Sequence, residues 1–185
     1  MLTPKEIYSE FENKIIDKRS ASEGLINLVE NSKDEDLREE SIQYIKKIGL
    51  KNQSTFEFLE NLFISDVSEN IRFAAFKAIK KNFEEKAIKP ALYAIFKEKG
   101  LLLIPIIEFL IDNFNPFLCK DVLIQKIKIL NREFLIDDLN FMKLENLHLL
   151  RLKNIIYDYL LKNSLENLYF HRRKIPFAAD LDYID

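Results

Sequence analysis

The chain has 185 residues, 48% of them hydrophobic and 31% charged, and 28 Lys and Arg against 30 Asp and Glu leave a formal charge of −2. A chain of this length buries roughly 70% of the surface it exposes when unfolded, which argues against disorder and fits one domain or two small ones. Near-neutral charge removes the simplest case for a dedicated nucleic-acid or membrane-surface protein and leaves only local patches to consider.

With 3 Gly and 5 Pro against 15 Phe, turns are few. Thr3, Pro4 and Glu6 form a capping box with proline at the first helical position. They predict a helix from about residue 4 to about residue 18, with a core stripe of Ile7, Phe11 and Ile15. Leu25, Leu28 and Val29 follow, then a polar break over 31–36, then Leu37, Ser41, Ile45 and Ile48, closed by Gly49 as a C-cap. The same figure returns as Leu59, Leu62 and Phe63, a break over 65–70, then Ile71, Ala75 and Ile79. Ile104, Ile107, Ile111 and Phe114 keep helical spacing, and Asn115-Pro116 marks a stop. The expected division is therefore 1–115 and 116–185.

An offset of 34 carries Leu25 onto Leu59, Leu28 onto Leu62, Leu37 onto Ile71, Arg38 onto Arg72, Ser41 onto Ala75 and Ile45 onto Ile79. An apolar helix, an acidic turn, and an aliphatic-Arg pair opening a second helix with a small residue three positions on: this pattern resembles HEAT repeats over about residues 20–115. The match is good to about residue 83 and looser beyond, where Pro105 stands near the place of a third Arg. A 34-residue period also suits tetratricopeptide repeats, whose Gly and Trp-type positions are absent. The resemblance implies a mainly α fold, a HEAT-like α-α superhelix in which hairpins that cannot bury their stripes alone stack into one core. It also implies that Asp36, Arg38, Asp66 and Arg72 form a structural ladder between repeats.

After residue 116 the period changes. Leu144-Glu145-Asn146-Leu147 recurs 21 residues later as Leu165-Glu166-Asn167-Leu168, and Ile136-Asp137-Asp138-Leu139 is matched by Tyr157-Asp158-Tyr159-Leu160. Ile124, Ile127 and Ile129 precede these in a similar pattern. Over about residues 120–175 this resembles leucine-rich repeats, which would supply short parallel strands, although Arg132, Leu152 and Arg172 fill the asparagine-ladder positions. The other reading is two further long helices, since Leu149, Leu152, Ile156 and Tyr159 also share a helical face. The last ten residues, with Pro176 and the acidic Asp180, Asp182 and Asp185, read as an extended tail.

Residues that carry chemistry are sparse. Gly24, Gly49 and Gly100 stand apart, so no phosphate-cradling loop is expected. His148 follows Glu145 by three, half of a helical metal motif without its other half. Asp137 and Asp138 are adjacent and so do not face one another on a helix. Cys119 has no disulfide or zinc partner, which points to a reducing, cytoplasmic setting. The N-terminus has no signal-peptide core, and Leu101–Leu110 is too short to span a bilayer. No cofactor, no metal and no membrane association are expected.

Charge is segregated along the chain. Between Arg72 and Lys99 there are 8 basic residues against 3 acidic, whereas the first 49 residues hold 8 against 11. Arg72, Lys77, Lys80, Lys81, Lys86 and Lys89 are the candidate contacts for a partner. The expected function is a non-enzymatic protein–protein interaction module or scaffold, its partner an acidic protein. The alternative is binding of a nucleic-acid backbone through residues 72–99, as in DNA glycosylases of the HEAT-like fold. A third reading is a small HEAT-like enzyme of the bilin lyase type.

Overall fold

The computed structural model describes residues 2–134, 144 and 146–173. The described residues are mainly α, and the chain divides into two units, Met1–Cys119 and Lys120–Asp185.

The first unit opens with α1 (Pro4–Glu12), held by the expected box. Thr3 Oγ1 accepts from Glu6 N (3.3 Å), and Thr3 N donates to Glu6 Oε2 (2.7 Å). The helix ends sooner than the period of four predicted. Asn13 caps it and Lys14 takes a left-handed φ of 59°. Ile7 is buried, Phe11 is half-buried, and Ile15 stands outside the helix at 70% exposure.

Two helical hairpins follow: α2 (Lys18–Asn31) with α3 (Glu35–Ile48), and α4 (Gln53–Ser65) with α5 (Glu69–Asn82). Asp17, Asp34, Asn52 and Ser68 cap their N-termini, each side chain accepting from a backbone N–H of the first turn. Gly49 ends α3 at φ 63°, where glycine avoids the strain a Cβ would bring. A third hairpin, α6 (Glu84–Lys97) and α7 (Leu103–Asn113), completes the series. Each hairpin closes on itself, α3 packs beside α5, and α4 packs beside α6. Neighbouring packing of this kind is compatible with a helical repeat.

The core follows the 34-residue register. Leu25 and Leu59, Ser41 and Ala75, and Ile45 and Ile79 are all buried. The small side chains at 41 and 75 leave room for close helix approach, and the Ser41 hydroxyl is satisfied by donating to Leu37 O (2.8 Å). A chain of rings runs through the unit: Phe63 stacks on Phe76 at 4.9 Å, and Phe76 meets Phe109 edge-on at 5.7 Å. At the position 34 after Arg72 stands Ile106, fully buried, so the arginine pattern stops at the third hairpin.

α8 (Pro116–Phe134) is capped by Asn115, whose Oδ1 accepts from Phe117 N (3.0 Å) and Leu118 N (3.3 Å). Within the second unit, α8 buries Leu123, Ile124, Ile127 and Leu130, and α9 (Leu149–Arg173) buries Leu152, Ile156 and Leu160. These spacings of three and four are helical. The strands expected for a leucine-rich segment are not present among the described residues; over 116–134 and 149–173 the helical reading is the one observed. The two copies of the tetrapeptide take different structures, Leu144 and Leu147 lying between α8 and α9 and Leu165 and Leu168 within α9, so the duplication did not report a repeated strand. Leu139 and the expected tail lie outside the described residues.

Three exposed carboxylates, Glu6, Asp17 and Glu35, have their pKa held below the ordinary values of 4.5, 3.8 and 4.5, chiefly by hydrogen bonds from Thr3, Ser20 and Ser68 respectively. A folded-state pKa below the unfolded one means stability that is complete above the ordinary value and lost as pH falls through the folded value. Thermal unfolding should therefore show little change from pH 7 to about 5 and a falling midpoint below about 4.5. A Glu35→Gln variant should lose part of that acid sensitivity.

Candidate interaction face and inter-repeat ladder

The turns between helices hold a directional set of contacts. Arg38, at the start of α3, pairs through Nη2 with Asp66 in the α4–α5 turn, and its Nε donates to Val29 O (3.1 Å). Arg72, at the start of α5, grips Glu98 in the α6–α7 turn as a fork: Nε to Oε1 at 2.7 Å and Nη2 to Oε2 at 3.0 Å. Its Nη1 donates back to Asp66 O (2.9 Å) and Val67 O (3.2 Å). Asp66 thus takes Arg38 on its side chain and Arg72 on its carbonyl. Both pairs are largely shielded, with 18% of each arginine side chain and 7% of each carboxylate side chain exposed. Glu98 holds the Arg72 guanidinium pKa above its ordinary value.

A second rung accompanies the first. Glu35 accepts from Ser68 Oγ (2.7 Å) and Asn70 Nδ2 (2.9 Å), and Glu69, its counterpart 34 residues on, accepts from Leu102 N (2.9 Å). A Cβ on Gly100 would stand 2.5 Å from Glu69 Oε1, so glycine is what lets this carboxylate reach the turn. Asp36 is exposed in the first turn of α3, its N–H donated to Asp34 (3.0 Å). Glu98 and Glu69 were not singled out in the sequence. The 34-residue offset from Glu35 to Glu69 was the available signal for the latter.

The candidate lysines divide. Lys77 and Lys81 on α5 lie close enough to Lys46 on α3 to depress its pKa, after the larger effect of burial, and Lys47 adds to them. Among the described residues none of Lys46, Lys47, Lys77, Lys80 and Lys81 forms an ion pair with a carboxylate. Lys46 and Lys47 belong to the acidic N-terminal segment, so a segment-wide charge sum conceals them. The 34-residue sequence offset reveals them, because 46 and 47 superpose on 80 and 81.

The ammonium groups also sit over rings: Lys77 Nζ is 3.7 Å from the Phe73 centroid, Lys47 Nζ 4.6 Å from that of Tyr44, and Lys80 Nζ 6.0 Å from that of Phe109. Lys86 turns toward α4, donating to Gln53 Oε1 (2.8 Å) above the Phe56 ring. With Lys51 and Lys81 it lines an open cleft of about 420 Å³, beside Glu84 and Glu85. Lys89 is exposed on α6.

Comparison with protein-family models, curated proteins and solved structures finds no match.

His148 is exposed ahead of α9, its carbonyl accepting from Arg151 N (2.9 Å) and Leu152 N (3.2 Å), while Glu145, Asp137 and Asp138 lie outside the described residues. Cys119 is buried, and burial pushes its thiol up to about 11. That is the opposite of an activated nucleophile. At pH 8 the native thiol should react with Ellman's reagent on the order of 100-fold more slowly than in the urea-unfolded chain. Equal rates would show that the thiol is not buried. No helix among the described residues is long and apolar enough to cross a membrane.

Proposed function

We propose that the chain is a non-enzymatic protein-interaction module with a HEAT-like α-α superhelical arrangement. Its working surface is the face shared by α3 and α5, and its partner is an acidic protein. The observation that carries this is the convergence of Lys46 on α3 with Lys77 and Lys81 on the adjoining α5, none of them paired with a carboxylate among the described residues; burial first and then their like charges lower the Lys46 pKa. Holding like charges together opposes folding, and an acidic partner would relieve that repulsion. The 34-residue resemblance to HEAT repeats, the Arg38–Asp66 pair and the shielded Arg72–Glu98 fork support the architectural part of the reading. A reducing, cytoplasmic setting, in keeping with the single free Cys119, belongs to the same proposal.

The test is affinity capture with the purified full chain, compared with a Lys46→Glu, Lys77→Glu, Lys81→Glu variant and a Lys89→Glu control. Acidic proteins retained by the wild type and the control, released by moderate salt and lost by the triple variant, are the expected result. Equal retention by the triple variant would sink the proposal. A nucleic-acid backbone is the competing occupant, favoured by the cleft where Lys51 and Lys86 extend the positive charge from Lys81. Tight binding of a 30-base-pair DNA duplex, falling steeply with salt and abolished in the triple variant, would replace the protein reading.

A further inference from the structure

The lysine face continues into an apolar cleft. A recess of about 290 Å³ opens at the N-terminal end of α5, lined by Glu69, Asn70, Phe73, Leu101 and Leu102. Leu101 is 53% exposed, and Phe73 is half-buried. Asn70, Phe73, Lys77 and Lys81 follow one another at spacings of three, four and four, a single stripe along α5. Lys77 joins the two parts, its ammonium resting over the Phe73 ring at 3.7 Å. We infer that this stripe docks an acidic segment of a partner protein, with an apolar anchor side chain seated against Phe73 and Leu101 and carboxylates over Lys77 and Lys81.

The inference rests on the acidic-partner reading above and narrows it. A helix rises about 1.5 Å per residue, so the backbone of Lys77 lies about 6 Å and that of Lys81 about 12 Å along the stripe from that of Phe73, and the Lys77 ammonium, 3.7 Å from the ring centroid in the free chain, turns outward to meet a carboxylate there when the anchor takes its place. An extended peptide advances about 3.3 Å per residue, so its acidic residues fall about two and four positions from the anchor. Charge complementarity also selects protein over nucleic acid. The Glu69 carboxylate, fixed by the Leu102 N–H, borders the recess. A phosphate chain running off the lysines would meet that carboxylate and an apolar wall, whereas an aliphatic or aromatic side chain meets Phe73 and Leu101.

The experiment uses the full chain as bait for a displayed library of random 12-residue peptides, followed by fluorescence polarisation with the best selected peptide. The expected consensus is one large apolar residue with Asp or Glu two and four positions away. Replacing that residue by alanine should weaken binding at least tenfold, and Leu101→Ser should weaken the original peptide by a similar factor but the alanine peptide hardly at all. Lys77→Glu should weaken both.

If the selected peptides are acidic without an apolar residue and Leu101→Ser has no effect, the anchor is overturned while the lysine reading stands. If no acidic peptide is enriched by the chain either as it is or with Asp180, Asp182 and Asp185 changed to Asn, or Lys77→Glu changes nothing, both fall. If enrichment appears only when Asp180, Asp182 and Asp185 of the full chain are changed to Asn, the occupant is the chain's own acidic segment and the outside partner is overturned.

Discussion

Replacing Phe76 with alanine should destabilise the first unit by about 3–5 kcal/mol, the range for deleting a buried aromatic side chain that its neighbours cannot replace. Phe76 is 1% exposed and lies between Phe63 and Phe109, which are themselves fully buried. Removing it takes a ring partner from both, and so loosens the second and third hairpins together. In urea, with a slope of about 1–3 kcal/mol/M for a unit of this size, the midpoint should fall by about 2 M, read by far-ultraviolet circular dichroism. The exposed Phe117 provides the contrast, since alanine there should change stability by less than about 0.5 kcal/mol. Equal shifts for the two variants would contradict the ring chain as the centre of the core.

Arg72→Ala comes next, at about 3 kcal/mol or a fall in melting temperature of roughly 6–12 °C. The cost arises less from the loss of attraction than from leaving the shielded Glu98 carboxylate without the guanidinium that grips it at two oxygens. Arg72→Lys should recover little, because a single ammonium cannot reproduce the fork. Adding Glu98→Gln to Arg72→Ala should restore part of the loss, since a neutral amide tolerates the site better. A double variant as unstable as the sum of its singles would argue that the pair is not coupled. Arg38 and Arg72 should themselves couple, because Asp66 serves both.

Much of the first unit was legible because local signals and long-range packing agree there. Thr3, Gly49 and the 34-residue register each mark a position that the packing also requires, so hairpins and core residues could be read directly. The end of α1 could not be, because Ile7, Phe11 and Ile15 continue the period past the point where Lys14 turns left-handed. The leucine-rich expectation failed for another reason: the 21-residue duplication places one tetrapeptide between α8 and α9 and its copy inside α9, so equal spacing in sequence did not mean equal structure. On the candidate face, a sum of charge by segment ran along the chain while the face runs across it, from Lys46 on α3 to Lys77 and Lys81 on α5. Glu98 was hidden because turns of unequal length shift it out of the 34-residue offset that links Arg38 to Arg72.

The ladder also bears on how the chain is made. Every rung points forward: Arg38 to Asp66, Glu35 to Ser68 and Asn70, Arg72 to Glu98, Glu69 to Leu102. During synthesis, α3 and α5 therefore emerge carrying charges whose partners in the next turn have not yet been translated. Arg38 waits 28 residues for Asp66, which at about 5–20 residues per second is on the order of a few seconds. In that interval a hairpin exists without its closing contacts, and the arrival of the next turn secures the hairpin before it.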